Sequence, residues 1–240
     1  MKNRLLIGLP VAMAMTLSAH AATITENFES YAIGSNLHGQ GTWKGWDNNP
    51  AAGATITDPD LYPTFMSSQS VEITGASDLV DVFSGVTTGS WVLTMKQYIP
   101  TGTTGETYFI LLNQYSEPTA ALPNESFSSQ ISFNMDTSVV TDTIGGGAQV
   151  PMVKGAWVTL RFDIDLTNNP VVEYYNGQQI GLQRDWQSGG TNELAAMDLY
   201  ANGADPIFYD TLKVVSVPEP ATLTALALGG LGFLRRRRVK

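Results

Sequence analysis

Residues 156 to 166 place Val158, Leu160, Phe162, Ile164 and Leu166 at alternate positions, with Trp157, Thr159, Arg161, Asp163 and Asp165 between them. A period of two is the period of a strand, whose successive side chains leave opposite faces of the backbone. One face of this segment meets a core and the other meets water.

The same signature recurs along the chain. Between Ser129 and Asp136, Ile131, Phe133 and Met135 alternate with Gln130, Ser132 and Asn134. Trp91 to Tyr98 and Tyr108 to Tyr115 are apolar on both faces over much of their length, which suits central strands. Val171 to Tyr175 and Gln178 to Leu182 flank Asn176-Gly177, a two-residue hairpin turn. Pro206 to Val215 reads as the last strand, and Val71 to Thr74 and Leu79 to Phe83 as shorter ones. No stretch between 22 and 216 carries a helical stripe, and Gly, Asn, Asp and Pro separate the runs. Asp58 and Asp60, split by Pro59, read as turn chemistry. The expectation is an all-β, two-sheet antiparallel sandwich or jelly roll spanning residues 22–216.

The two ends are of another kind. Lys2 and Arg4 precede an apolar run from Leu5 to Leu17, and Ala19-His20-Ala21 offers the small residues that signal peptidase needs. Residues 1–21 are therefore expected to be a signal peptide, cleaved after Ala21. At the far end Val217-Pro218-Glu219-Pro220 leads into a mostly apolar run, Ala221 to Leu234, and then Arg235, Arg236, Arg237 and Arg238. Pro218 and Pro220 keep the tag extended. The arginines hold their side of the membrane in the cytoplasm. The run from 221 to 234, as a short hydrophobic helix, covers about 21 Å, less than the roughly 30 Å hydrocarbon core, so it does not suit a permanent transmembrane helix. The tail, 217–240, closely resembles the PEP-CTERM sorting signal of exopolysaccharide-producing Gram-negative bacteria. The resemblance implies that exosortase recognises Pro218, Glu219 and Pro220. It also implies a protein tethered transiently at the inner membrane and then delivered to the cell surface or extracellular matrix.

Charge prunes the partners. Setting aside Lys2, Arg4, the four tail arginines and Lys240 leaves 6 of 13 basic residues between 22 and 217; setting aside Glu219 leaves 21 of 22 acidic ones, a net of −15. Such a domain repels nucleic acid and anionic lipid, and suits hard cations such as calcium. The chain has no cysteine, so thiol nucleophiles, thiolate metal sites and disulfides are excluded. His38 is the one histidine of the 22–217 segment. Multi-histidine zinc is thereby excluded, and a Ser-His-Asp triad would have to run through His38. Any catalysis must rest on carboxylates.

A second resemblance covers most of residues 23 to 216. Asn27-Phe28-Glu29-Ser30-Tyr31 with Gly34, then Trp43 to Pro50, Trp157 to Leu166, Tyr174-Tyr175-Asn176-Gly177 and Tyr209-Asp210-Thr211-Leu212 follow in an order similar to bacterial concanavalin A-like, laminin-G-like jelly rolls. That family implies two stacked antiparallel sheets, frequent glycan binding, a structural calcium in many members and glycoside hydrolysis in some.

Three sites follow as expectations. Trp157, Arg161 and Asp163 on one strand, with Gln130, Ser132 and Asn134 on another, would form a polar face with an aromatic platform for a sugar. Trp43 and Trp46, three apart, either cap one end of the core or form an exposed platform, and Trp186 is open in the same way. Calcium is expected where the first and last strands meet, held by Glu29 and Asp210, which match the family motifs, with Glu26 as a weaker ligand. The hydrolases of the family carry Glu-x-Asp-x-x-Glu, which this chain lacks; Asp163 and Asp165 share a strand face at about 7 Å. The reading is a non-enzymatic, exported, lectin-like module associated with exopolysaccharide or another glycan. A structural matrix or envelope protein without a specific ligand is the alternative, and a glycoside hydrolase the third.

Overall fold

A computed structural model describes residues 22–57, 69–117, 125–187 and 189–217. The expected signal peptide (1–21), the Asp58 to Asp60 turn, and the tail from Pro218 through Glu219, Pro220 and Arg235 to Arg238 lie outside the described residues. Among the described residues no helix is long and apolar enough to cross a membrane.

The fold is an all-β sandwich of two antiparallel sheets, with strands numbered in chain order. One sheet of eight strands holds β1 (Thr23–Glu26), β3 (Thr55–Ile56), β4 (Val71–Ile73), β6 (Ser90–Tyr98), β11 (Trp157–Asp165), β12 (Pro170–Tyr175), β13 (Gln178–Asp185) and β15 (Ile207–Val217). Its order is β13-β12-β11-β6-β15-β4-β3, with β1 also on β15. The second, of seven strands, runs β10 (Gln149–Pro151), β9 (Val139–Asp142), β8 (Glu125–Asn134), β7 (Glu106–Tyr115), β14 (Ala196–Asn202), β5 (Asp78–Val82) and β2 (Trp43–Gly45).

The periodicities account for this arrangement. In β11, Val158, Leu160, Phe162 and Ile164 are buried, while Arg161 is exposed and Trp157, Asp163 and Asp165 are half-buried. The β12–β13 hairpin turns at Asn176 and Gly177, with φ of 49° and 79°, the left-handed pair of a type I′ turn. β6 and β7 are interior strands of their sheets, as their apolar character requires. The core lies between the sheets, where Phe109 of β7 stacks on Phe162 of β11 with centroids 5.2 Å apart. Both strands of the terminal seam are present: Thr23 pairs with Val215 and Glu26 with Leu212.

One polar bridge crosses the core. Glu173 on β12 accepts from Ser129 Oγ on β8 at 2.6 Å and pairs with the Arg184 guanidinium. Arg184 Nε lies 3.5 Å from Asp142 Oδ2 on β9. Glu173 and Asp142 are both buried.

Candidate functional site

The outer face of the second sheet carries the most developed candidate site. Residues that alternate with the core meet there in register. Asp78, Tyr200, Tyr108 and Ser132 form one row across β5, β14, β7 and β8. Val80, Asp198, Ile110 and Gln130 form the next. Above these rows is a groove of about 360 Å³, walled by Trp46, Tyr108, Phe127 and Tyr200, with Asp78, Asp198, Gln130 and Asn202 as its polar lining.

Local chain geometry delivers two of the aromatics. Trp43 points into the core from β2, 1% exposed and 5.6 Å from the Phe28 ring. Gly45 then lets the chain fold back, because a Cβ there would lie 2.0 Å from the Asn49 carbonyl oxygen. His38 Nδ1 accepts the Gly45 N–H at 3.1 Å. Trp46 emerges over the outer face, 5.2 Å from Tyr115 edge-on and 6.4 Å from Phe127 in parallel. Phe127 reaches the same face through a bulge: Leu111 pairs with Ser129 and Leu112 with Phe127, leaving Ser128 as the extra residue. Strict alternation from Ile131 would have turned Phe127 inward. On the far side, Tyr108 and Tyr200 stack at 5.8 Å.

The floor holds a carboxyl pair. Asp198 is buried and Asp78 partly so, and the two carboxyls hydrogen-bond each other. Burial raises the pKa of Asp78, and its bond to Asp198 offsets part of the rise. Burial, then the charge and hydrogen bond of Asp78, hold Asp198 well above the usual carboxylate range. Burial also pushes the Tyr108 hydroxyl up to about 12, reinforced by Glu106.

The residues expected to form one sugar face lie on two. Gln130, Ser132 and Asn134 stand on the outer face of the second sheet; Gln130 lines the aromatic groove, and Ser132 and Asn134 line an adjoining polar depression. Trp157, Arg161 and Asp163 stand on the outer face of the first sheet. This corrects the expected juxtaposition. Alternation shows which side chains leave the core, but it does not show which sheet they leave from. Arg161 spends its charge locally, donating to Asp163 at 2.7 and 2.8 Å and lying 5.4 Å over the Tyr174 ring. Trp157 is half-buried with its ring 5.5 Å from Tyr98. Trp46 does join the groove, whereas Trp43 and Trp186 are core residues.

Each of the expected calcium ligands accepts hydrogen bonds from the protein. Glu26 Oε1 accepts the Asn27 and Phe28 N–H groups at 2.8 and 2.6 Å, and its Oε2 accepts the Tyr31 hydroxyl at 2.7 Å. Glu29 accepts the Gln69 N–H at 2.8 Å. Asp210 is buried and accepts the Thr211 N–H at 2.5 Å, closing the irregularity in β15. Glu26 and Asp210 thus serve their own turn and bulge, while Glu29 ties its loop to the segment that begins at Gln69. Among the described residues no group of three or more His, Asp or Glu side chains is placed to hold a metal ion. Asp165 accepts from Asn168 Nδ2 at 2.7 Å and from the Thr167 and Asn168 N–H groups at 2.9 and 3.0 Å, turn chemistry in which the Asn168 side chain does most to lower its pKa.

Comparison with known proteins agrees with this architecture. Residues 216–238 match the PEP-CTERM protein-sorting motif, which marks the chain for export and for membrane-anchored processing by exosortase. No curated protein matches the chain in sequence. Among solved structures, the globular domain of T. cruzi calreticulin aligns with a TM-score of 0.54 and 12% identity, over 89% of this chain and 94% of that one. A Caenorhabditis elegans galectin aligns at 0.38 and 13%, over 60% of this chain and 94% of that one. A Trypanosoma rangeli sialidase aligns at 0.46 and 9%, over 68% of this chain and 26% of the sialidase. Another sialidase has 18% of its length covered, so the chain spans only a fraction of such enzymes. At these identities the likeness is one of fold. The chain therefore joins a two-sheet antiparallel β-sandwich to a PEP-CTERM protein-sorting motif.

Proposed function

We propose that this exported, exosortase-sorted protein binds a glycan, the exopolysaccharide of its own surroundings or another, in the groove over β5, β14, β7 and β8. The observation that carries this reading is the ring set itself. Trp46, Phe127, Tyr108 and Tyr200 surround a polar floor in a groove of about 360 Å³. Ligand sites of roughly 300–1,000 Å³ combine such walls with a few convergent polar groups. A sugar offers C–H faces to the rings and hydroxyls to Gln130, Asn202 and the carboxyl pair.

The geometry favours binding over hydrolysis. Asp198 lies buried on the groove floor beside Asp78, and burial raises the pKa of both, so neither is a free carboxylate poised over the groove. Glycoside hydrolysis sets its carboxyls about 5 to 9.5 Å apart to admit an anomeric carbon or a water.

Titration of purified protein against soluble polysaccharides tests the reading. Trp46→Ala should weaken binding by about 1–3 kcal/mol, the scale of a truncated aromatic anchor, with little loss of stability. Wild-type affinity in the variant, or no glycan bound by either protein, would favour the structural matrix role.

A further inference from the structure

The carboxyl pair on the groove floor is more than the aromatic walls require. Asp198 is 2% exposed. Its Oδ1 and that of Asp78 are sealed from solvent and meet no donor from another described residue. The two carboxyls bond each other. Burial and the neighbouring carboxyl both raise the pKa of Asp198, which disfavours a second full charge on this floor.

No lysine or arginine stands among the described residues lining the groove. Lys44 lies on β2 at the edge of this sheet, and it pairs with Glu117 at 3.4 Å. The other charged neighbours are acidic. Asp47 acts on Asp78 through its charge, and Glu106 accepts from Ser132 Oγ at 2.5 Å. Hydroxyl hydrogens suit carboxyl oxygens as partners, and the amides of Gln130 and Asn202 add both donors and acceptors. A carboxylate or sulfate pressed onto this floor would be desolvated beside a like charge, with no cation to meet it.

Resting on the glycan reading of this groove, we propose that it takes a neutral, hydroxyl-rich glycan segment and excludes segments bearing uronate or sulfate. The overall acidity of the domain repels anions at long range from any face. The carboxyl pair makes the exclusion local, at the sugar in contact with the floor.

The test is calorimetric titration of the purified protein with three sets of probes. These are neutral hexasaccharides of glucose, galactose and mannose; hexagalacturonate and its methyl ester; and a sulfated dextran oligomer. At least one neutral hexamer should bind, sensitive to Trp46→Ala, and every acidic probe should bind at least tenfold more weakly. Combining Asp78→Asn with Asp198→Asn keeps the shape, leaves the rest of the acidic surface intact and removes the local charge. The neutral-to-acidic ratio should then fall toward one. If that variant does not fold, the ester and the free acid give the same comparison on the wild-type protein: any binding of the acid must be at least tenfold weaker than that of the ester. An acidic probe that binds within tenfold of the best neutral one, and loses binding in Trp46→Ala, would overturn the exclusion while preserving the groove as a glycan site. No binding by any neutral probe would overturn both.

Discussion

Replacing Glu173 with glutamine should change how stability depends on pH, and the structure sets the sign. Glu173 is 3% exposed between the sheets. Burial pushes its pKa from an ordinary 4.5 up to about 7; the Arg184 charge opposes the rise, and Asp142 adds to it. The folded state therefore holds this proton more tightly than the unfolded state. Its contribution to stability is complete below about pH 4.5 and is lost as pH rises through about 7. A difference of 2.5 between the two pKa values, at 1.36 kcal/mol each, makes the loss about 3 kcal/mol, most of it between pH 5 and 8. Urea unfolding followed by the fluorescence of the buried Trp43 and Trp186 would measure it from pH 5 to 8, in wild type and in Glu173→Gln. Other carboxyls titrate in this window, Asp81 among them at about 6, so the difference between the two proteins is the quantity to read. Wild type should lose about 2–3 kcal/mol more than the variant across that range. A wild type that instead gains stability with pH relative to Glu173→Gln would show that the Arg184 pairing outweighs desolvation, and would refute the reasoning.

Two further outcomes follow from the two tryptophans of the β2 region and from the tail. Trp43→Ala should cost about 3–5 kcal/mol of stability, the range for a truncated buried aromatic, while Trp46→Ala acts on glycan affinity; paired denaturation and binding curves on the two variants check the division. Replacing Pro218 and Pro220 together with alanine should leave an unprocessed, membrane-retained form, seen by fractionation and by the mass of the C-terminus.

The missed elements of the candidate site have particular causes. β14 reads Ala-Met-Asp-Leu-Tyr-Ala-Asn, with Asp198 and Tyr200 on one face and Met197 and Leu199 on the other. The alternation is present, but it is short and mixes small residues with polar ones, so it does not stand out beside β11. Asp78 begins β5, one residue before the run from Leu79 that the apolar pattern marks. Phe127 is placed by a bulge, and a bulge leaves no mark in a period-two pattern.

The sequence by itself determined that this chain would be a two-sheet β protein, where its long strands run, where the β12–β13 hairpin turns and that its tail is a sorting signal. These are local properties: a period of two, an Asn-Gly pair, and an ordered tag, apolar run and basic cluster. Tertiary structure alone decided which strands share a sheet. It sent Gln130 and Trp157 to opposite outer faces, turned Glu26 and Asp210 to donors beside them in sequence, and gave Glu29 the N–H of Gln69. It also brought Asp78 and Asp198, 120 positions apart in sequence, into one hydrogen bond. Strand pairing joins residues across any separation in sequence, and alternation carries no record of the partner.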